Sequence, residues 1–131
     1  MGLLIVEDDF DLRESLKRTL EGEGYLVQCV SNGREALNSL RDEPHPCVIL
    51  LDLMMPEMNG FDLLEFLARD RGFQQIPVVV MSAYYRARLA GVRSTVPPMT
   101  TFLEKPIALD RLLAIIEARC RTDHTDARPR G

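Results

Sequence analysis

Leu3-Leu4-Ile5-Val6 is an unbroken apolar run that meets Glu7-Asp8-Asp9 at once, after which Leu12, Leu16 and Leu20 recur at every fourth position. Such a run predicts a strand covered on both faces, and the four-residue recurrence predicts a helix with one face turned to a core. The same alternation continues down the chain. Gly22 and Gly24 close the first helix, Tyr25 to Val30 returns to strand, and Ser31-Asn32 supplies a cap for a helix carrying Ala36, Leu37 and Leu40. Asp42 to Pro46, with two prolines, reads as a loop before the strand Val48 to Leu51. Phe61, Leu64, Leu67 and Ala68 mark a third helix, and Pro77 opens the strand Val78 to Met81, which ends at Ser82. Thr101 to Leu103 is a fifth strand, Lys105-Pro106 a turn, and Ile107 to Arg121 a last helix with Leu109, Leu112, Leu113 and Ile116 on its apolar face.

Apolar strands alternating with amphipathic helices require a parallel sheet sandwiched between helical layers, so the expected class is α/β. One link in the series is weak. From Ser82 to Thr101 the pattern offers about two helical turns before Pro97-Pro98 forbid continuation, so a fourth helix there is expected to be short, irregular or absent. Residues 1–121 form the expected domain, and the polar stretch Thr122 to Gly131 an expected disordered tail.

Composition narrows the function. At 131 residues there is room for one domain, and 46% hydrophobic with 27% charged residues describes an ordinary soluble globule. A formal net charge of -4 gives no general attraction to nucleic acid or to an anionic membrane, and no segment approaches membrane-spanning length, which points to a cytoplasmic protein without membrane insertion. Cys29, Cys47 and Cys120 are odd in number and lack metal-ligand or CxxC spacing, so they are expected to be reduced thiols.

Chemistry gathers at the strand ends. In an open parallel sheet, reactive groups lie outside the carboxyl edge of the strands. Here those ends carry Glu7-Asp8, Asp52, Ser82-Ala83 and Lys105. Each has a plainer role when taken alone: an acidic pair favours a helix N-terminus, a serine caps, a lysine is a solvated charge. Their concurrence at four strand ends carries the argument. Clustered carboxylates repel one another unless a cation neutralises them, and hard oxygen donors suit Mg²⁺. A hydroxyl and an ammonium beside such a site are what a transferred phosphoryl group requires. Met54, Met55 and Met58 read as soft loop packing rather than a thioether metal site.

LLIVEDD, VILLDLMMPEMNG, PVVVMSA and FLEKP, in this order and over residues 3 to about 118, resemble the receiver domain of bacterial two-component response regulators, here of single-domain type. The resemblance implies a flavodoxin-like (βα)5 fold, a doubly wound parallel sheet in strand order 2-1-3-4-5. It implies that Asp52 is the phosphoacceptor, taking its phosphoryl group from a sensor histidine kinase or a phosphotransfer protein. Glu7, Asp8, Asp52 and the backbone carbonyl of Met54 would hold Mg²⁺; Ser82, the Ala83 amide and Lys105 would bind the phosphoryl oxygens; Pro56 and Gly60 would shape the loop after the acceptor. Ser82 and Phe102 would form the switch, by packing alone because Phe102 has no phenolic hydroxyl. With Met54 and Tyr84 flanking the water route, dephosphorylation would be slow. Output would pass to an unknown downstream protein, with no direct nucleic-acid contact, from a monomer or a phosphorylation-dependent dimer.

Two departures from the family pattern stand out. The interrupted fourth helix leaves either a remodelled face bearing Arg86, Arg88 and Arg93 or simply a solvated basic loop. Most response regulators also carry an effector domain, so this chain is either a single-domain regulator or a piece of a longer one. Two other classes compete with a phosphorylation-controlled binding module. A haloacid-dehalogenase-like phosphatase needs a second aspartate at position 54, where methionine stands. A pseudo-receiver scaffold, or a phosphate sink, would lack phosphorylation-dependent output.

Overall fold

The strands that read as continuous apolar runs are the interior ones. In the computed structural model, which describes residues 2–42, 44–52, 60–82 and 97–127, five strands form one parallel sheet: β1 (Gly2–Val6), β2 (Leu26–Val30), β3 (Val48–Asp52), β4 (Val78–Ser82) and β5 (Thr100–Glu104), in the order β2-β1-β3-β4-β5. Every residue of β3 and β4 is buried, because each has a neighbouring strand on both sides and helices on both faces. The edge strand β2 includes Gln28 and an exposed Leu26, since only one side of it is paired.

Four helices are described: α1 (Phe10–Gly22), α2 (Gly33–Leu40), α3 (Gly60–Arg69) and α4 (Leu109–Ala127). Leu16 and Leu20 of α1, with Leu112, Ile116 and Cys120 of α4, cover the face of the sheet that shows Leu3, Ile5, Val48, Leu50, Val79 and Leu103. Ala36 and Leu40 of α2, with Leu63, Leu64 and Leu67 of α3, cover the opposite face, which shows Leu4, Val6, Ile49, Leu51, Val78 and Val80. Odd and even strand positions thus serve two separate cores, as a pleated strand buried on both sides requires.

Local chemistry sets the boundaries. The Asp9 carboxylate accepts the Leu12 amide and starts α1. After that helix Gly24 takes φ 100°, and the Tyr25 amide donates to the Leu20 carbonyl, so Tyr25 belongs to the turn and β2 begins one residue later than expected. At α2 the cap is Asn32, whose side chain accepts the Glu35 amide at 2.8 Å while the Glu35 carboxylate accepts the Ser31 amide at 2.8 Å. Asn32→Ala is expected to cost about 0.5–2 kcal/mol, measured as a lower urea midpoint at unchanged slope.

Three expectations change. The last helix begins at Leu109 rather than Ile107, because the Ala108 carbonyl accepts the first helical amides, from Arg111 and Leu112. It runs to Ala127 rather than stopping at Arg121, so the polar stretch from Thr122 is helical to that point; the next helix breaker in the sequence is Pro129. The cysteines are not all reduced. Cys47, one residue before β3, is disulfide-bonded to Cys120 of α4 with Cα atoms 5.3 Å apart, and Cys29 alone is free. Their separation of 73 residues explains why spacing along the chain gave no sign of the pair. The expected irregular helix after Ser82 falls on residues 83–96 and lies outside the described residues. No described helix is long and apolar enough to cross a membrane.

Candidate functional site

Strand register decides which polar residues meet. Val6 lies beside Leu51, which puts the following residues, Glu7 and Asp52, next to each other at the carboxyl edge of β1 and β3. Pleat alternation then assigns them to one side: Glu7 continues Leu3 and Ile5, Asp52 continues Val48 and Leu50, and Lys105 continues Leu103, all on the face covered by α1 and α4. The distances agree with that placement. Lys105 Nζ donates to Asp52 Oδ1 at 3.3 Å and to Glu7 Oε1 at 3.5 Å. Carboxylate oxygens of Glu7, Asp8 and Asp52 lie within 4.8 Å of one another.

Burial differs sharply within the cluster. Glu7 is 1% exposed and Asp52 5% exposed, whereas Asp8 is open to solvent. Removing Glu7 from water, with the Asp52 charge beside it, pushes its carboxyl up from 4.5 to about 7, against the opposing pull of the Asp9 amide and Lys105. Burial on its own would lower the Lys105 ammonium, but Asp52 and Glu7 outweigh it and raise it. The lysine therefore stays charged at neutral pH, while Glu7 is poised between acid and carboxylate.

Ser82 ends β4, 2% exposed, and its carbonyl accepts the Lys105 amide at 2.9 Å, tying the ends of β4 and β5 together. Lys105 is followed by Pro106 across a cis peptide bond. Phe102 pairs in register with Val80 and packs half-buried on the core under α2 and α3, the face to which Ser82 also belongs by alternation. Thus Glu7, Asp8, Asp52 and Lys105 meet at one edge, and Ser82 ends the neighbouring strand β4 at that same edge, on the other side of the pleat. The Met54 carbonyl, Ala83, Pro56, Tyr84 and the arginines at 86, 88 and 93 lie outside the described residues.

Two supporting groups escaped the sequence reading. Arg13 Nη1 donates to the Glu7 carbonyl at 2.8 Å, and the Asp9 amide donates to the Glu7 carboxylate at 3.2 Å. They anchor Glu7 from the first turns of α1. The only signal was their position, immediately after a strand that ends in acids.

All donors in the cluster are carboxylate oxygens, which fit a hard divalent cation, and Asp8 leaves the solvent side open for water ligands. Without a cation, the raised Glu7 carboxyl contributes stability that is full below the ordinary value of 4.5 and is lost as pH rises through about 7. A bound cation competes with that proton. Mg²⁺ affinity is therefore expected to rise as pH climbs toward and past 7 and then to level off, as calorimetric titration at a series of pH values would show; a flat profile would contradict the role given to Glu7.

Residues 3–117 match the family model for the response regulator receiver domain. The response regulator MprA of Mycolicibacterium vanbaalenii is 36% identical over 126 residues, covering 95% of this chain and 52% of that protein. A 14.6 kDa protein of Leptolyngbya boryana is 33% identical and is matched over 95% of its length. The chain thus spans about half the length of its MprA relatives. Among solved structures, the signal receiver domain of a signal transduction histidine kinase from Syntrophus aciditrophicus is 28% identical with a TM-score of 0.82, over 99% of this chain and 94% of that one. A CheY-like receiver domain from Methanospirillum hungatei is 25% identical with a TM-score of 0.81, over 96% and 98%.

Proposed function

Because the chain belongs to the family of response regulator receiver domains, we propose that Asp52 accepts a phosphoryl group from a phosphohistidine of a sensor histidine kinase or phosphotransfer protein. The observation that carries this reading is the Lys105 ammonium 3.3 Å from Asp52 Oδ1, beside three mutually close carboxylates. A carboxylate oxygen of Asp52 attacks phosphorus, the P–N bond breaks, and the imidazole nitrogen keeps the electron pair. The product is an acyl phosphate whose added charge needs compensation. Lys105 supplies part of it as an ammonium already paired with Asp52, so little reorganisation is needed when the charge arrives. Glu7, Asp8 and Asp52, with the Met54 carbonyl, would hold Mg²⁺, which when bound neutralises phosphoryl oxygens. Ser82 donates its hydroxyl to one of those oxygens, and the Ala83 amide serves another.

A cleft of about 500 Å³ lined by Lys105 with Leu12, Leu16, Pro106 and Leu109 among others lies on the α1 side of that lysine, and gives the donor protein a concave surface to dock against next to the site. Phosphorylation draws Ser82 toward the site and lets Phe102 turn in behind it, a two-state element whose balance the phosphoryl group shifts. The result is a cytoplasmic binding module acting on a downstream protein, as a monomer or a phosphorylation-dependent dimer. Its own catalysis is limited to slow loss of phosphate, since neither Met54 nor Tyr84 orients water as a carboxylate would.

The test is incubation with Mg²⁺ and acetyl phosphate, followed by intact mass, alongside ¹⁹F NMR of beryllofluoride. Incorporation of one phosphoryl group and a bound fluoride signal are expected. A folded chain that takes up neither, with Mg²⁺ bound, would be a scaffold and not a phosphoacceptor.

A further inference from the structure

The disulfide lies at the opposite end of β3 from Asp52. Cys47 immediately precedes the strand, and its amide donates to the Gly2 carbonyl at 2.8 Å, so it is held at the amino edge of the sheet. Five residues of extended chain place it roughly 16 Å from the acceptor. Cys120 follows Leu112 and Ile116 at four-residue steps on the same stripe of α4. Leu112 and Ile116 are fully buried, whereas Cys47 and Cys120 keep 4% and 5% exposure at the margin of that core. The first half of α4 is therefore anchored by apolar packing whatever the state of the sulfurs. Beyond Ile116, the stripe is continued among the described side chains by Cys120, whose covalent partner is on the sheet.

We propose that Cys47 and Cys120 form a reversible dithiol–disulfide site, closed by a peroxide and opened by an external dithiol, whose state sets the hold of the C-terminal turns of α4 on the sheet. A free cysteine behaves as a small apolar side chain, so both forms can occupy the same core position and the domain stays folded when the bond opens. Closure begins when one thiolate attacks peroxide oxygen. The O–O bond breaks, leaving a sulfenic acid and hydroxide. The second thiolate then attacks that sulfur, the S–O bond breaks, and the departing hydroxide takes up a thiol proton. Two thiols and one peroxide give one disulfide and two waters, with two electrons passed from sulfur to oxygen.

Opening runs by exchange. A thiolate of the dithiol attacks one sulfur of the bond, and its second thiol then closes its own disulfide, releasing Cys47 and Cys120 as thiols. Access is at the margin of the core, where Cys47 and Cys120 keep 4% and 5% exposure. Cys29 does not compete. It sits on the edge strand β2, in register with Ile5 of β1, and is free while Cys47 and Cys120 are bonded to each other.

The experiment uses the whole chain, reduced with dithiothreitol or oxidised with hydrogen peroxide without denaturant. Each form is alkylated after unfolding, weighed by mass spectrometry, and compared by amide hydrogen exchange. The expected results are three alkylated thiols in the reduced form, one in the oxidised form at Cys29, and at least tenfold faster exchange over residues 117–127 on reduction. Exchange over β3 and beryllofluoride binding are expected to remain the same in both forms. Cys120→Ala should show the fast exchange under either treatment, and the wild-type comparison stands if that variant fails to fold. Three alkylated thiols after peroxide, a bond that dithiothreitol opens only in denaturant, or equal exchange of α4 in both forms would each overturn the proposal.

Discussion

Asp52→Asn is expected to abolish phosphoryl incorporation and beryllofluoride binding while leaving the fold intact. The substitution keeps side-chain size at a position 5% exposed, but it replaces an anionic oxygen nucleophile with an amide. Lys105 keeps a partner, because Glu7 Oε1 lies 3.5 Å from its ammonium. The change also removes a charge that helps to raise Glu7, so the Glu7 carboxyl should move down from about 7 toward its ordinary value of 4.5. That shift gives an independent readout by NMR titration, and it predicts no loss of stability at neutral pH. Retained phosphorylation would move the acceptor elsewhere; an unmoved Glu7 would contradict the coupling between the two carboxylates.

Leu50→Ala carries the largest expected cost in stability. Leu50 is fully buried at the middle of β3, flanked in register by Ile5 of β1 and Val79 of β4 and packed in the core that α1 and α4 close. Neighbouring strands on both sides restrict collapse into the space left behind, so the substitution should cost about 2–5 kcal/mol. Against a total of about 5–15 kcal/mol for a domain, that is a large share. Leu26→Ala on the edge strand, where the side chain is 74% exposed, should stay within about 0.5 kcal/mol. Urea unfolding of the pair checks the contrast, and equal effects would mean that β3 is not the centre of the structure. The same strand carries Asp52 at its carboxyl end, so a loosened β3 should also weaken beryllofluoride binding, but only partially.

Much of this architecture was legible along the chain. Leu3 to Val6, Val48 to Leu51 and Val78 to Met81 announce interior strands because a strand buried on both faces has no polar position to alternate with. Ser31-Asn32 announces a helix start because side-chain oxygens there satisfy amides that the helix leaves unpaired. Polar groups at the ends of those runs announce a site because a parallel sheet brings all of its carboxyl edges to one side.

What no local pattern contains is which strands are neighbours. Strand order places Glu7 beside Asp52 and carries Lys105, 53 residues further on, to within 3.3 Å of that aspartate. The raised Glu7 carboxyl follows from that proximity and from burial, neither of which is a property of the residue itself. Cys47 and Cys120 are the sharpest case: they read as isolated thiols in the sequence, and only the packing of α4 across β3 brings them into bonding distance. Short-range periodicity determined the elements and the chemistry they deliver. Contacts between residues far apart in the chain, which depend on sheet order and helix packing, were decided by the tertiary structure alone.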